Sequence, residues 1–220
     1  MQCDSTRSEQ RSAAVAVRGL TCRLGTTVAV DDVTLDVAAR EYVAVTGPNG
    51  AGKSTLLRAV LGLVHAGGSI AVDGVVATTR RDWRARRSTV AWVPQRPAVG
   101  RFPLLVRELL ESSGAPGAAT EAADHLGVGG LLDRPLHTLS GGQLQRAFLA
   151  RGLGHVAAGA TVLLADEPTS ALDFDTRDLV GAVLADAPVT RLVVTHDRAV
   201  TDAADRVYEM AAGRVREVTS

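Results

Sequence analysis

Apolar positions along the chain follow two patterns. From Ala14 to Val37 they mostly alternate with polar ones, as Val15, Val17 and Leu20 and then Val28, Val30, Val33, Leu35 and Val37. A period of two predicts short, half-buried strands. Thr161–Ala165 and Arg191–Thr195 are instead short, nearly continuous apolar runs, the pattern of strands buried on both faces. Glu41–Thr46 is a further apolar strand that stops at Gly47, and Val90–Val93 is one closed by Pro94. Ser69–Val72 reads as a strand between the turn signals Gly67-Gly68 and Asp73-Gly74. Helical stretches are predicted over Ser54–Leu63, after Ser140 through Gln145 to Leu153, and over Asp175–Leu184. Between Arg96 and Thr138, Pro97, Pro103, Gly114, Pro116 and Gly117 interrupt the chain, and Val106–Ser112 and Thr120–Leu126 read as helices of a small insert. Strands alternating with helices predict an α/β fold whose core strands are mainly parallel.

Composition narrows the class. A length of 220 residues fits one large domain, or a core with an inserted subdomain. With 46% hydrophobic and 22% charged residues, disorder is excluded as the main state. Lys+Arg and Asp+Glu balance at 24 each, which argues against an electrostatic nucleic-acid binder, and 3% aromatics argue against stacking platforms for single strands. Cys3 and Cys22 are too few for a disulfide framework, and a reduced cytosolic setting is expected. No apolar run approaches the roughly 20 residues that span a bilayer. Met1–Ala13 is polar and reads as a flexible arm rather than a secretory signal, with the structured domain over 14–220. Arg80–Arg87 carries five arginines in eight positions. It reads as a solvated face, with contact to anionic lipid or a partner as the alternative.

The candidate chemistry starts at Gly47-Pro48-Asn49-Gly50-Ala51-Gly52-Lys53-Ser54, which has the spacing G-x-x-x-x-G-K-[ST] between a predicted strand and a predicted helix. The glycines let backbone N–H groups wrap phosphate oxygens, and the helix N-terminus adds its positive end. Lys53 supplies a point charge to the β and γ phosphates, Ser54 a hydroxyl to Mg²⁺, and Thr55 reaches the α-phosphate side. Lys53 is the sole lysine among the 24 basic residues. That fits a spot where a guanidinium does not replace a compact ammonium. Asp166 and Glu167 end the apolar strand at 161–165. Alone they read equally as an exposed acidic turn; beside a phosphate loop, Asp166 reads as an Mg²⁺ ligand and Glu167 as the group that orients or deprotonates water. His196 ends another core strand. A lone histidine is commonly structural, but this position favours the γ-phosphate side. The five histidines, at 65, 125, 137, 155 and 196, include no pair at ligand spacing.

Together these residues resemble the ATP-binding subunit of ABC transporters. Leu139-Ser140-Gly141-Gly142-Gln143 resembles the family signature, Gln95 in Val-Pro-Gln the Q-loop, Ser170-Ala-Leu-Asp173 the D-loop and His196 the H-loop. The motifs occur in family order over roughly residues 15–218. The resemblance implies an α/β P-loop NTPase core of the ABC type with a mainly parallel sheet, over 14–95 and 139–220. It also implies an N-terminal antiparallel β subdomain and a short inserted helical subdomain at 96–138. It implies ATP and Mg²⁺ as cofactors, with Glu167 as catalytic base, His196 on the γ phosphate, and Gln95 sensing Mg²⁺ and the membrane partner. It implies a second copy of the chain, whose Ser140, Gly141 and Gly142 cap ATP held by the first, with Gln143 and Asp173 beside it. A transmembrane permease and, indirectly, a substrate-binding protein are implied too, on the cytoplasmic side of the membrane, with no nucleic acid. Leu24 falls where the family usually stacks an aromatic ring on adenine; it packs on a base but offers no π face. Gln95 to Leu139 is short for the family, implying a trimmed helical subdomain. Val93–Glu108 and Arg146–Arg151 resemble the zinc and manganese importer branch, which implies metal-ion uptake, zinc ahead of manganese; the alternative is an ABC ATPase subunit for another substrate, or a soluble ABC ATPase outside transport.

Overall fold

The computed structural model describes residues 13–95, 97 and 103–218. The arm expected at 1–13, except Ala13, and Phe102 within Val93–Glu108 lie outside them. Two long strands, β1 (Ala13–Leu24) and β2 (Thr27–Ala38), form the antiparallel unit that alternation predicts. β3 (Tyr42–Thr46) leads into the loop before α1 (Lys53–Val60). β4 (Ala66–Val72) and β5 (Val75–Val76) return to the first sheet, giving the order β2-β1-β4-β5. Gly67 and Gly68, read as a turn, lie inside β4. Gly68 sits at φ +87° where β1 shifts register between Arg18 and Thr21, and a Cβ there would stand 2.4 Å from the Gly19 carbonyl oxygen. The glycine pair therefore marks a bulge rather than a chain reversal.

α2 (Arg80–Thr89) and β6 (Val90–Val93) follow. The insert then contributes α3 (Val106–Glu111), α4 (Pro116–His125) and short 3-10 turns at Gly129–Leu131 and Leu136–Thr138. α5 (Gly141–Ala157), β7 (Val162–Asp166), α6 (Phe174–Asp186), β8 (Thr190–Val194) and α7 (Arg198–Asp202) complete the alternation. The chain closes with the hairpin β9 (Arg206–Ala211) and β10 (Arg214–Val218). The second sheet has the order β10-β9-β3-β8-β7-β6, and every pairing is parallel except β10 with β9.

The parallel strands divide two cores between their faces. Val43, Val45, Val162, Leu164, Leu192 and Val194 pack with α1 and the antiparallel sheet. Tyr42, Ala91, Val93, Leu163, Ala165 and Val193 pack with α3 to α6 on the other side. This period-two division explains why the strands read as continuous apolar runs: both faces are buried. Their C-terminal ends carry the phosphate loop, Asp166 and the residues leading to His196, the edge at which open α/β sheets gather ligands.

α2 was not predicted as a helix, because arginines mask its period. Its start is a capping box in which the Thr79 hydroxyl accepts from Asp82 N and Asp82 accepts from Thr79 N. Those bonds, with Thr79 first, hold the Asp82 carboxyl down to about 2. Inside, Arg86 is 5% exposed and donates to the Ile70 and Val75 carbonyls at 2.8 Å. Arg86 therefore departs from the solvated reading of this stretch: it anchors the helix to the antiparallel sheet.

Candidate functional site

The phosphate loop is pinned by its neighbours. Gly47 sits at φ +137°, and a Cβ there would stand 2.0 Å from the Met210 carbonyl oxygen; Gly52 sits at φ +108°, with the Ala29 carbonyl oxygen 2.1 Å from its would-be Cβ. Both positions need glycine for conformation and for space. The backbone bonds Gly213 N to Ala51 O (3.0 Å) and Asp31 N to Gly213 O (2.9 Å) clamp the loop between β2 and the β9–β10 turn. Lys53 is 7% exposed, and its ammonium donates to the carbonyls of Gly47 (2.7 Å) and Pro48 (3.0 Å). α1 begins at Gly52 with no side-chain cap and no acid in its first turn. Its first N–H groups and positive end are left for an anion.

Ser54 Oγ donates to Asp166 Oδ1 at 3.0 Å, across the sheet edge. Asp166 is 1% exposed, and burial pushes its carboxyl above the usual range against the opposing pull of Ser54, Arg58 and Lys53. A hydroxyl and a buried carboxylate side by side are the hard oxygen donors that suit Mg²⁺. Among the described residues, no group of three or more His, Cys, Asp and Glu surrounds a point. Two protein ligands with phosphate oxygens and water completing the shell is the usual way Mg²⁺ is held.

Glu167 is 4% exposed, so the two acids are not a surface turn. It holds a left-handed backbone at φ +49° while its N–H donates to the Val194 carbonyl at 2.8 Å. For a non-glycine residue that conformation costs roughly 1–3 kcal/mol, a kind of strain that concentrates at functional sites. His196 Nδ1 stands 2.7 Å from Glu167 Oε2, yet among the described residues that oxygen has no aligned hydrogen-bond donor. It is a buried carboxylate oxygen with capacity to accept a proton-bearing ligand. The His196 ring itself is 66% exposed.

A cavity of about 830 Å³ gathers Leu24, Asn49–Thr55, Gln95 and Glu167, with Val28, Ala29, Ala212 and Gly213 on its walls. Sequence reading missed Ala212 and Gly213, because their turn carries no Asn-Gly or Asp-Gly signal. Ser140 to Gln143 and Asp173 do not line this cavity. Ser140 and Gly141 are exposed, and Gly141 lines a neighbouring cavity of about 410 Å³ with Gln95, Leu144, Gln145, Ser170 and Ala171. Ser140 caps α5: its hydroxyl accepts from Gln143 N (3.2 Å), and Gln143 Oε1 accepts from Ser140 N (3.0 Å). Leu139 is half-buried and packs on the helical-side core. Asp173 caps α6 by accepting from Thr176 N at 3.0 Å, and Thr176 holds its carboxyl below the usual range. Gln145, also missed, is 2% exposed and donates to the Pro94 carbonyl at 3.2 Å, tying α5 to the residue before Gln95. Gln95 thus borders both cavities.

Comparison with known proteins gives consistent matches. A family model described as "ABC transporter" matches residues 30–170. The chain is 40% identical over 204 residues to the hemin import ATP-binding protein HmuV of Nocardia farcinica, covering 84% of this chain and 68% of that one. It is 37% identical over 201 residues to the zinc import ATP-binding protein ZnuC of Cereibacter sphaeroides, covering 88% and 77%. Among solved structures, a dimeric ATP-binding cassette in a post-hydrolysis state, bound to ADP and Pi, superposes with a TM-score of 0.79 at 27% identity, covering 93% and 98%.

Proposed function

The chain belongs to the ABC transporter family as an ATP-binding subunit that hydrolyses ATP, and on that premise we propose that it drives uptake of a metal ion, zinc ahead of manganese, across the cytoplasmic membrane. The observation that carries the mechanistic part is the split arrangement of the site. Lys53, the Ser54–Asp166 pair and the Glu167–His196 pair sit at one sheet edge, while Ser140 and Gly141 face solvent outside that cavity. One chain therefore offers half of a triphosphate site, and a second copy supplies the other half head to tail.

In this reading the loop N–H groups and Lys53 hold the β and γ phosphates, Thr55 lies toward the α phosphate, and Leu24 packs on the base. Ser54 and Asp166 would hold Mg²⁺, with Gln95 as the third protein contact, and the ion would neutralise phosphate charge. Glu167 orients a water and takes its proton as the water oxygen bonds to the γ phosphorus. The bond from that phosphorus to the bridging oxygen breaks, and ADP leaves with the electron pair. His196 contacts the γ phosphate and steadies the Glu167 carboxylate. Ser140 and the N–H groups of Gly141 and Gly142 of the second copy close over the phosphate, with its Gln143 and Asp173 beside them. ATP holds the pair together, and charge repulsion between products opens it. Gln145 transmits that motion to Gln95 and so to a permease, with a substrate-binding protein supplying cargo. Docked on its permease, the chain lies peripherally on the cytoplasmic face in this reading; no helix of the described residues is long and apolar enough to cross a membrane.

Sedimentation of Glu167→Gln tests the split site. Saturating ATP should convert monomer to dimer, and monomer alone would contradict the reading. Cargo is tested separately, by uptake of radioactive zinc, manganese and hemin in cells with and without this chain. Loss of zinc uptake is expected; loss of hemin uptake alone would favour the other named relative's cargo.

A further inference from the structure

α2 presents a face that the nucleotide site does not use. Arg80, Arg81, Arg84 and Arg87 are exposed, whereas Arg86 is buried as the anchor. At 100° per residue the four exposed arginines fall within an arc of about 120° on the outer side of the helix. Among the described residues none of them forms an ion pair, and the one acid of the helix, Asp82, is engaged in the capping box. In a chain of net charge zero this is a concentrated cationic strip. Apolar side chains lie beside the helix, next to Trp83 and Arg86. Leu63, Val75 and Val76 are 60%, 54% and 46% exposed, three of the seven exposed large apolar residues among the described ones. A cavity of about 480 Å³ opens beside them, lined by Leu63, Val64, Val76 and Trp83. Trp83 stacks on Gly62, where any Cβ would stand 2.1 Å from the ring, so helix and apolar patch are held as one surface.

We infer that this strip and the apolar patch beside it are a docking surface for anionic phospholipid headgroups. The guanidinium forks match phosphate oxygens, and the patch reaches the boundary between headgroup and acyl chain. A convex helix carrying cations over a third of its circumference fits a broad, flat, negative surface. An acidic peptide segment would instead be expected in a groove lined by free cations; the cavity beside the strip is lined by Arg86, whose guanidinium is spent on the Ile70 and Val75 carbonyls, and by none of the four exposed arginines. Arg86 is excluded from the surface by its burial and fixes how the other four are presented.

The test is cosedimentation of the full chain with phosphatidylglycerol vesicles and with phosphatidylcholine vesicles, at low and high salt. Preferential, salt-sensitive binding to the anionic vesicles is expected. Each arginine near an anionic surface is worth about fivefold in partitioning, so Arg→Gln at positions 80, 81, 84 and 87 together should weaken binding by at least about tenfold. ATPase turnover should be unchanged, which also reports that the variant is folded. Arg→Lys at the same four positions should restore most of the binding. Equal binding to the two vesicle types, or undiminished binding by the Gln variant, would overturn the inference. So would a chain that ignores anionic vesicles but binds a polyglutamate peptide through these arginines, which would assign the face to an acidic protein segment. The vesicle result is independent of the ATP-site reading, since the vesicle assay needs no nucleotide.

Discussion

Two helices in this molecule start at glycine-rich turns, and their N-termini are finished in opposite ways. α1 starts at Gly52 inside a cavity, with no side-chain cap, no acid and a buried lysine folded back over its loop. α5 starts at an exposed Ser140 that caps itself through Gln143. The first terminus is preorganised for a polyanion at the expense of its own satisfaction; the second is locally complete and needs no ligand to be stable. Division of labour follows. In the proposed reading, the α1 side fixes nucleotide in each copy, and the α5 side is a presenting surface that acts when another copy brings a phosphate to it.

Glu167→Gln breaks the preorganised side most deeply. The glutamine keeps the volume but cannot take a proton, so turnover should fall by roughly 10² to 10⁴ while ATP binding survives. Single-turnover kinetics with a parallel binding assay reads both; wild-type turnover would remove Glu167 from the chemistry. Gly52→Ala tests the clamp on the loop. The would-be Cβ meets the Ala29 carbonyl at 2.1 Å in a left-handed backbone, so ATP affinity should collapse and thermal unfolding should shift down. Gly50→Ala keeps the left-handed strain but meets nothing within 4 Å, and should lose less.

Asp166→Asn sharpens the contrast by separating function from stability. Burial raises the Asp166 carboxyl above its value in an unfolded chain. The stability it contributes is therefore full below the unfolded value and is lost as pH rises through the raised folded value. Above that window the ionised acid is a liability until a cation arrives. Asn keeps an acceptor for Ser54 and carries no charge, so the nucleotide-free variant should melt no lower than wild type and lose its pH slope in that window, while Mg²⁺-dependent turnover disappears. Calorimetry across acid to neutral pH reads this; a lower melting temperature at neutral pH would contradict it. The smallest effect is expected at Leu24→Tyr. Leu24 is 49% exposed on the cavity wall, and a ring there should tighten ATP binding by about 2- to 10-fold, the size of an aromatic stacking gain.

What could be read from the sequence followed from how each region is stabilised. β3, β7 and β8 are buried on both faces, so they stand out as apolar runs, and the phosphate loop, Asp166 and the approach to His196 follow directly at their ends. β1 was visible only as short alternating pieces, because register shifts break its period. α2 was hidden because its inward anchor is an arginine rather than a leucine, and Thr79-x-x-Asp82 was the available signal. The β9–β10 hairpin was missed with its Ala212-Gly213 turn, and with it two walls of the cavity. Gln145 could not be read at all, since its partner is a backbone carbonyl 51 positions away.

In the proposed dimer each site takes its phosphate loop from one copy and Ser140 from the other, so two dead variants should rescue each other when mixed. Lys53→Ala and Ser140→Arg should each be inactive alone. Mixed in equal amounts, half of the dimers are hybrids, and each hybrid holds one intact site, so activity should recover to at most roughly a quarter of wild type. No recovery at any mixing ratio, with hybrids shown to form, would contradict the split site.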